Sequence, residues 1–210
     1  IPNNKINSIK MGTTVATNAL LERKGERTLL LINKGLKDLL KVGYQNRPKL
    51  FDLEIKKQVS IYDEVIEIAG RLDSKGQEVN KLDTNLAKEI LSKKFNEGYR
   101  SLAVAFIHSY LNTSHEQKIA KIAKQIGFSQ ISTSAGVSKL IKLVSRGDTA
   151  VVDAYLSPIL RRYVKKISSE VNSDELKQKK LFFMQSSGGL VNADSFQGKD
   201  AILSGPAGGV

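Results

Sequence analysis

The 210-residue chain carries 33 lysines and arginines against 21 acidic residues, a net charge of +12, with 40% hydrophobic residues and no cysteine. Such a composition supports an apolar core in one large domain or two small ones, and it excludes disulfides, thiolate metal ligands and a cysteine nucleophile. No apolar run is long enough for a membrane-spanning helix, and the opening IPNNKINSIK lacks the apolar stretch of a signal peptide, so a cytoplasmic protein without a membrane partner is expected.

In chain order, Thr13 or Thr14 can cap a helix running to about Arg23, ended by Gly25. A short apolar strand follows, Thr28 to Ile32, then a short helix, Leu36 to Val42, and an irregular segment from Gly43 to Lys57. Asp63 to Leu72 and Gln77 to Lys81 read as a hairpin around Asp73-Ser74-Lys75-Gly76. Thr84 opens an amphipathic helix with Leu86, Ile90, Leu91 and Phe95 on one face, stopped by Gly98. Leu102 to Ile107 is continuously apolar, as expected of a strand buried on both faces. Thr113 and Glu116 form a capping-box pattern, and the helix they open carries Ile119, Ile122, Ala123 and Ile126 up to Gly127.

Ile131 lies in the next strand. A helical stretch then runs from about Arg146 to Val171, with Pro158 near the start of a new turn, and Leu181 to Gln185 is another buried strand. Alternating helices and strands at short spacing predict an α/β fold with parallel pairing. A sequence boundary is expected at 138/139, where that alternation gives way to the long helix, dividing the chain into 1–138 and 139–210.

Four polar stretches carry candidate chemistry. Gly12-Thr13-Thr14, with Asn18 beyond, either caps a helix or presents hydroxyl and backbone donors to a ligand. Ser204-Gly205-Pro206-Ala207-Gly208-Gly209 is either a tight turn or a close approach to a phosphate; no Gly-Lys-Ser/Thr follows, so it is not a Walker loop. Arg146 and Asp148 either bind an anion or form a helix-start ion pair. Ser186-Ser187-Gly188-Gly189 follows a buried strand, where α/β folds gather ligands, or simply ends it. His108 and His115 read as structural, since no metal-ligating set assembles around them. Most lysines, among them Lys88, Lys93, Lys94, Lys118, Lys121 and Lys124, fall on polar helix faces without interleaved aromatics. The charge therefore reads as a solvated surface, and no nucleic-acid partner is expected. A basic nucleic-acid-binding module is the alternative of another class.

Seven stretches stand in one order: KMGTTVATNALLERKGER, RPKLFDL, YDEVIEI, AVAFIHSYLNTSHE, VSRGDTAVVDAYLSPILRRY, LFFMQSSGGL and GKDAILSGPAGGV. Together they resemble the hydantoinase/oxoprolinase family along almost the whole chain. Met11, RPKLFDL and Arg146-Gly147-Asp148 look more like the oxoprolinase branch than like hydantoinase or carboxylase relatives, which more often carry histidine at the place of Met11. The resemblance implies an actin-like, ribonuclease-H-like ATPase fold and an ATP- and Mg²⁺-dependent hydrolase that opens a small cyclic amide. The substrate would be 5-oxo-L-proline, giving glutamate, with a place in glutathione metabolism; a hydantoinase or carboxylase subunit is the alternative.

The same resemblance implies substrate-binding roles for Thr13, Thr14, Asn18, Arg146 and Asp148. It implies cofactor-binding roles for Gly12, Ser186, Gly188, Gly189, Ser204, Gly205, Gly208 and Gly209. The family's Asp-x-Gly-Gly-Thr phosphate loops are expected outside this stretch. The chain is therefore expected to be a fragment, inactive alone, whose remaining half is fused or a second subunit in a homo- or hetero-oligomer.

Overall fold

A computed structural model describes residues 7–45, 51, 59–171 and 180–209. The expected RPKLFDL feature, apart from Phe51, and most of the irregular 43–57 segment lie outside the described residues. In chain order the elements are β1 (Ser8–Met11), α1 (Val15–Leu21), β2 (Thr28–Asn33), α2 (Leu39–Val42), β3 (Glu64–Ile68), β4 (Arg71–Leu72) and β5 (Glu78–Asn80). There follow α3 (Thr84–Asn96), β6 (Ser101–Ala105), α4 (Ser114–Ile126), β7 (Gln130–Thr133), α5 (Ser134–Val137) and α6 (Leu143–Val171). The last are β8 (Lys180–Met184), β9 (Leu190–Asn192) and α7 (Ser204–Gly208), with two short 3₁₀ turns between β9 and α7. The α/β class with parallel pairing is as expected. Among the described residues no helix is long and apolar enough to cross a membrane.

The chain folds as two units, Ile1–Glu26 with Leu156–Val210, and Arg27–Tyr155. This division in space is separate from the sequence boundary expected at 138/139. The reason is the parallel pairing of β1 with β8, which joins the first strand to one about 170 residues later.

In the Arg27–Tyr155 unit, four parallel strands stand in the order β3-β2-β6-β7. The two central strands are buried along their whole length, which their apolar runs require. The alternation of side chains splits β2 between two cores. Leu29 and Leu31 join Leu91, Ile119 and Phe128, while Leu30 joins Ala103, Ala105, Ala150 and Ala154. Each fully buried leucine contributes roughly 1.5–3 kcal/mol relative to exposure. At the end of β2 the buried Asn33 side chain donates to the Gly70 carbonyl at 2.6 Å and accepts the Ile107 N–H at 2.6 Å, tying three strand ends together.

Several local expectations change. Glu64–Ile68 is not an arm of a long hairpin but a parallel neighbour of β2, because Ile66 and Ile68 bury against the same core as Leu29. Only Arg71–Leu72 and Glu78–Asn80 form the hairpin, whose turn is closed by Asp73 Oδ1 accepting from Lys75 and Gln77 N–H. Helix α3 is capped by Asp83, which accepts the Leu86 N–H at 3.0 Å, and its buried residues are Ala87 and Leu91 while Leu86 is exposed. The capping box at Thr113 does not form: Thr113 makes no side-chain cap bond, and the Glu116 carboxylate turns inward. Helix α1, expected to run to about Arg23 and stop at Gly25, stops at Leu21 with Glu22 as its C-cap, followed by Arg23 in the left-handed region at φ 54°. At the end of α4, Gly127 adopts φ 115°, as expected of a C-terminal glycine.

Helix α6 runs unbroken through Pro158. Proline has no N–H for the carbonyl four residues back. That carbonyl, of Ala154, is buried, and it accepts the Ser101 hydroxyl at 2.6 Å instead.

Candidate functional site

The Ile1–Glu26/Leu156–Val210 unit holds a three-stranded sheet in the order β1-β8-β9, with Met11 in register with Phe183. Phe183 is fully buried and stacks on Phe196 with ring centroids 5.0 Å apart. Because β1 and β8 are parallel, the Gly12-Thr13-Thr14 stretch and the Gln185–Gly189 turn leave adjacent strands at the same sheet edge. Carboxyl ends of parallel strands are where α/β folds place ligands.

Three of the four polar stretches meet there. The Thr13 N–H donates to Ser204 Oγ at 3.2 Å, and both residues are buried. Thr13 Oγ1 accepts the Val15 N–H at 3.2 Å, so it supplies the bond that Thr14, at the cap position, does not make. The Thr17 hydroxyl donates to the Ile202 carbonyl. Ser186 donates its hydroxyl to the Asp200 carbonyl at 2.8 Å and accepts the Leu203 N–H at 3.0 Å. The turn after β8 closes with Gly188 N–H on the Gln185 carbonyl at 3.0 Å, and Gly188 at φ 83° needs to be glycine.

Ser204–Gly208 is a short helix, not a turn, and Gly205 and Gly208 serve proximity, since neither has a positive φ. A Cβ at Gly205 would stand 2.5 Å from Thr14 Cγ2, and one at Gly208 would stand 3.3 Å from the Gly12 Cα. One at Gly12 would stand 3.2 Å from the Ser204 carbonyl oxygen.

The cluster has an inside and an outside. Thr13 and Ser204 point inward and hold the backbone. Gly12, Thr14, Asn18, Gly188, Gly189, Gly208 and Gly209 are exposed, and the Asn18 N–H bonds the Thr14 carbonyl one helical turn back at 2.8 Å. The exposed face of the cluster offers hydroxyls, a carboxamide and backbone groups, while the carboxylate of Asp200 behind it is ion-paired with Lys199 at 2.8 Å. Such a set suits holding carbonyl or anionic oxygens rather than moving a proton. Thr17 was not singled out by sequence; its only signal was a hydroxyl four residues after Thr13, on the inward flank of a helix.

Arg146 and Asp148 belong to the other unit. Arg146 is completely buried. Its Nε donates to Ser134 Oγ at 2.8 Å, one terminal nitrogen to the Leu140 and Ile141 carbonyls at 3.0 and 2.9 Å, and the other to the Phe106 carbonyl and Ser109 Oγ at 2.7 and 3.0 Å. All five guanidinium N–H groups are thereby used, so the expected bond to a substrate carboxylate has no donor left. Burial pulls its pKa down, against the opposing charge of Glu116. Asp148 is exposed beside it in sequence, and partial desolvation raises its carboxyl above the ordinary value.

His115 is buried with Nε2 2.6 Å from Glu78 Oε1, a structural pairing, and His108 follows β6 at φ 59° beside Tyr110. Among the described residues no group of three or more His, Cys, Asp or Glu side chains is placed to hold a metal.

The model for the hydantoinase/oxoprolinase N-terminal region matches residues 1–127, and the hydantoinase/oxoprolinase model matches residues 146–210. The chain is 42% identical over 229 residues to 5-oxoprolinase 1 of Arabidopsis thaliana, covering 100% of this chain and 18% of that protein. It is 44% identical over 230 residues to 5-oxoprolinase of Dictyostelium discoideum, covering 98% and 18%. It thus spans under a fifth of the length of these curated relatives. The crystal structure of the ATP-dependent caprolactamase from Pseudomonas jessenii superposes with a TM-score of 0.81 at 30% identity, covering 93% of this chain and 29% of that one. Nucleotide-free acetone carboxylase shares the fold, with a TM-score of 0.79 at 20% identity over 96% of this chain and 30% of its own. The chain belongs to the hydantoinase/oxoprolinase family.

Proposed function

We propose that this chain is part of an ATP-dependent hydrolase that opens the lactam of 5-oxo-L-proline to glutamate. The observation that carries this reading is the 42–44% identity to two 5-oxoprolinases along essentially the whole chain. A lactam carbonyl is a poor electrophile with a poor leaving group; ATP, when bound, would supply the phosphoryl group that activates the carbonyl carbon toward water, and the bond that must then break is C–N, the ring amine leaving with a proton. In this proposal Gly12, Thr14 and Asn18 face the substrate, and Gly188, Gly189, Gly208 and Gly209 border the nucleotide through their backbones. Thr13, Ser186, Ser204 and Gly205 hold that surface in shape. The phosphate loops, and any Mg²⁺ ligands, are assigned to the rest of the polypeptide in an actin-like ATPase, with Mg²⁺ arriving as the nucleotide's ion. The whole protein is proposed to be a cytoplasmic oligomer serving glutathione metabolism.

The same scaffold acting on another cyclic amide is the second reading, favoured by the likeness to a caprolactamase; a hydantoinase or carboxylase subunit belongs with it. The full-length parent is incubated with Mg-ATP and 5-oxo-L-proline, glutamate and ADP are followed together, and hydantoin and caprolactam serve as controls. Stoichiometric glutamate and ADP from 5-oxo-L-proline alone support the first reading. ADP release stimulated only by another ring amide moves the protein to the second. With no substrate-stimulated turnover, the net charge of +12 directs the next test to DNA and RNA, whose binding would weaken steeply with salt.

A further inference from the structure

The segment Asp200 to Ser204 is hydrogen-bonded to three other places in the chain. The Ser186 N–H and hydroxyl both reach the Asp200 carbonyl, at 2.6 and 2.8 Å, and Ser186 Oγ accepts the Leu203 N–H at 3.0 Å. The Thr17 hydroxyl reaches the Ile202 carbonyl. The Ser204 hydroxyl, fully buried, takes the Thr13 N–H.

Helix α1 is only seven residues long and buries only Ala16 and Ala19. So short a helix has little stability of its own. Its orientation therefore depends on these side-chain bonds. Two of them, through Thr13 and Thr17, hold its inward flank one turn apart, while Thr14 and Asn18 stand exposed one turn apart.

We propose that Thr17 is a positioning residue: its hydroxyl latches helix α1 to Ile202 and thereby sets where Thr14 and Asn18 stand. The proposal rests on the reading of those two residues as substrate-facing. The hydroxyl is the operative group. Valine keeps the shape and removes the donor, whereas serine keeps the donor and removes a methyl. In the full-length protein, Thr17→Val is expected to raise the KM for 5-oxo-L-proline about tenfold, since small misplacements of a positioning element cost up to ~100-fold. The KM for ATP should stay within about twofold, and Thr17→Ser should restore wild-type behaviour.

Amide hydrogen exchange over residues 13–18 is measured on the same proteins, with faster exchange expected for Thr17→Val alone. Unchanged exchange in Thr17→Val overturns the latch whatever the substrate proves to be. Altered exchange with wild-type KM values overturns its positioning role. Equal impairment of the valine and serine variants assigns the effect to packing and also overturns the proposal. If the wild-type parent does not turn over 5-oxo-L-proline, the functional reading fails separately, and the exchange comparison still decides the latch.

Discussion

The hydroxyl of Ser101 donates to the carbonyl of Ala154, the acceptor that Pro158 leaves without its helical partner. A residue at the start of a buried strand thus repairs a defect in a 29-residue helix. Ser101→Ala is expected to destabilise the protein by about 1–3 kcal/mol, the cost of a buried acceptor left unpaired. Pro158→Ala returns an N–H to the helix, so the double variant should recover at least ~1 kcal/mol of that loss. Denaturant titration of the four proteins checks the cycle, and strictly additive losses would contradict it.

Arg146 and Glu116 interact through two serines. The Glu116 carboxylate accepts from the Ser109 and Ser134 hydroxyls at 2.9 and 2.5 Å, and the guanidinium donates to both. The carboxylate also takes the Phe106 and Ala135 N–H groups, each at 2.9 Å. Lysine has three donors where arginine uses five, so Arg146→Lys leaves buried carbonyls unpaired. We expect a loss of about 3–5 kcal/mol, as for breaking a buried charged network. A residue that bound substrate carboxylate would instead raise KM at unchanged stability, so thermal melts and steady-state kinetics on one variant separate the two roles.

Gly205 and Gly208 should respond differently to alanine. At Gly208 the new methyl meets the Gly12 backbone, which cannot move aside, and we expect a cost of about 1–3 kcal/mol. At Gly205 it meets Thr14 Cγ2, the end of an exposed side chain that can turn. Gly205→Ala should therefore cost under ~1 kcal/mol in stability but lower turnover by displacing the Thr14 hydroxyl. Adding Thr14→Ser removes the obstructing methyl and keeps the hydroxyl, and turnover should return. Kinetics of the single and double variants decide whether Thr14 touches the reaction.

The hydrogen bond from His115 holds the Glu78 carboxyl below its ordinary value of 4.5. A carboxyl with a depressed folded pKa contributes stability that is present above its unfolded value and lost as pH falls through the folded one. The stability gap between wild type and Glu78→Gln should thus be present above the ordinary carboxyl value of 4.5 and shrink as pH falls below it. Hydrogen exchange of the β4–β5 hairpin across that range reads it directly, and a gap independent of pH would exclude the pairing as its source.

Local pattern carried much of the architecture. The apolar runs at Thr28–Ile32 and Leu102–Ile107 read as strands, the second as one buried on both faces, and they supply the two central strands of a parallel sheet, β2 and β6, both fully buried. The helices around Ala87 and Ile119 followed from their periodicity, although their first turns did not. Asp83 rather than Thr84 caps one, and Glu116 turns from the other into the core. Capping is a competition among nearby hydrogen-bond partners, and a buried serine cluster outbid the helix end for Glu116.

Residue type and order were enough for the fold class, for the resemblance to the family, and to mark four polar stretches, three of which the fold brings together beside β1 and β8. Those properties depend on residue type, order and short-range periodicity, which one strand of text contains. Long-range packing alone pairs β1 with β8 in one unit, turns Thr13 inward and Thr14 outward, and occupies every donor of Arg146. The Thr13–Ser204 bond spans 191 positions and the Arg146–Phe106 bond spans 40. A side chain's partner at such a distance is fixed by which strands pair and what the core excludes from water, and neither is written in its neighbours.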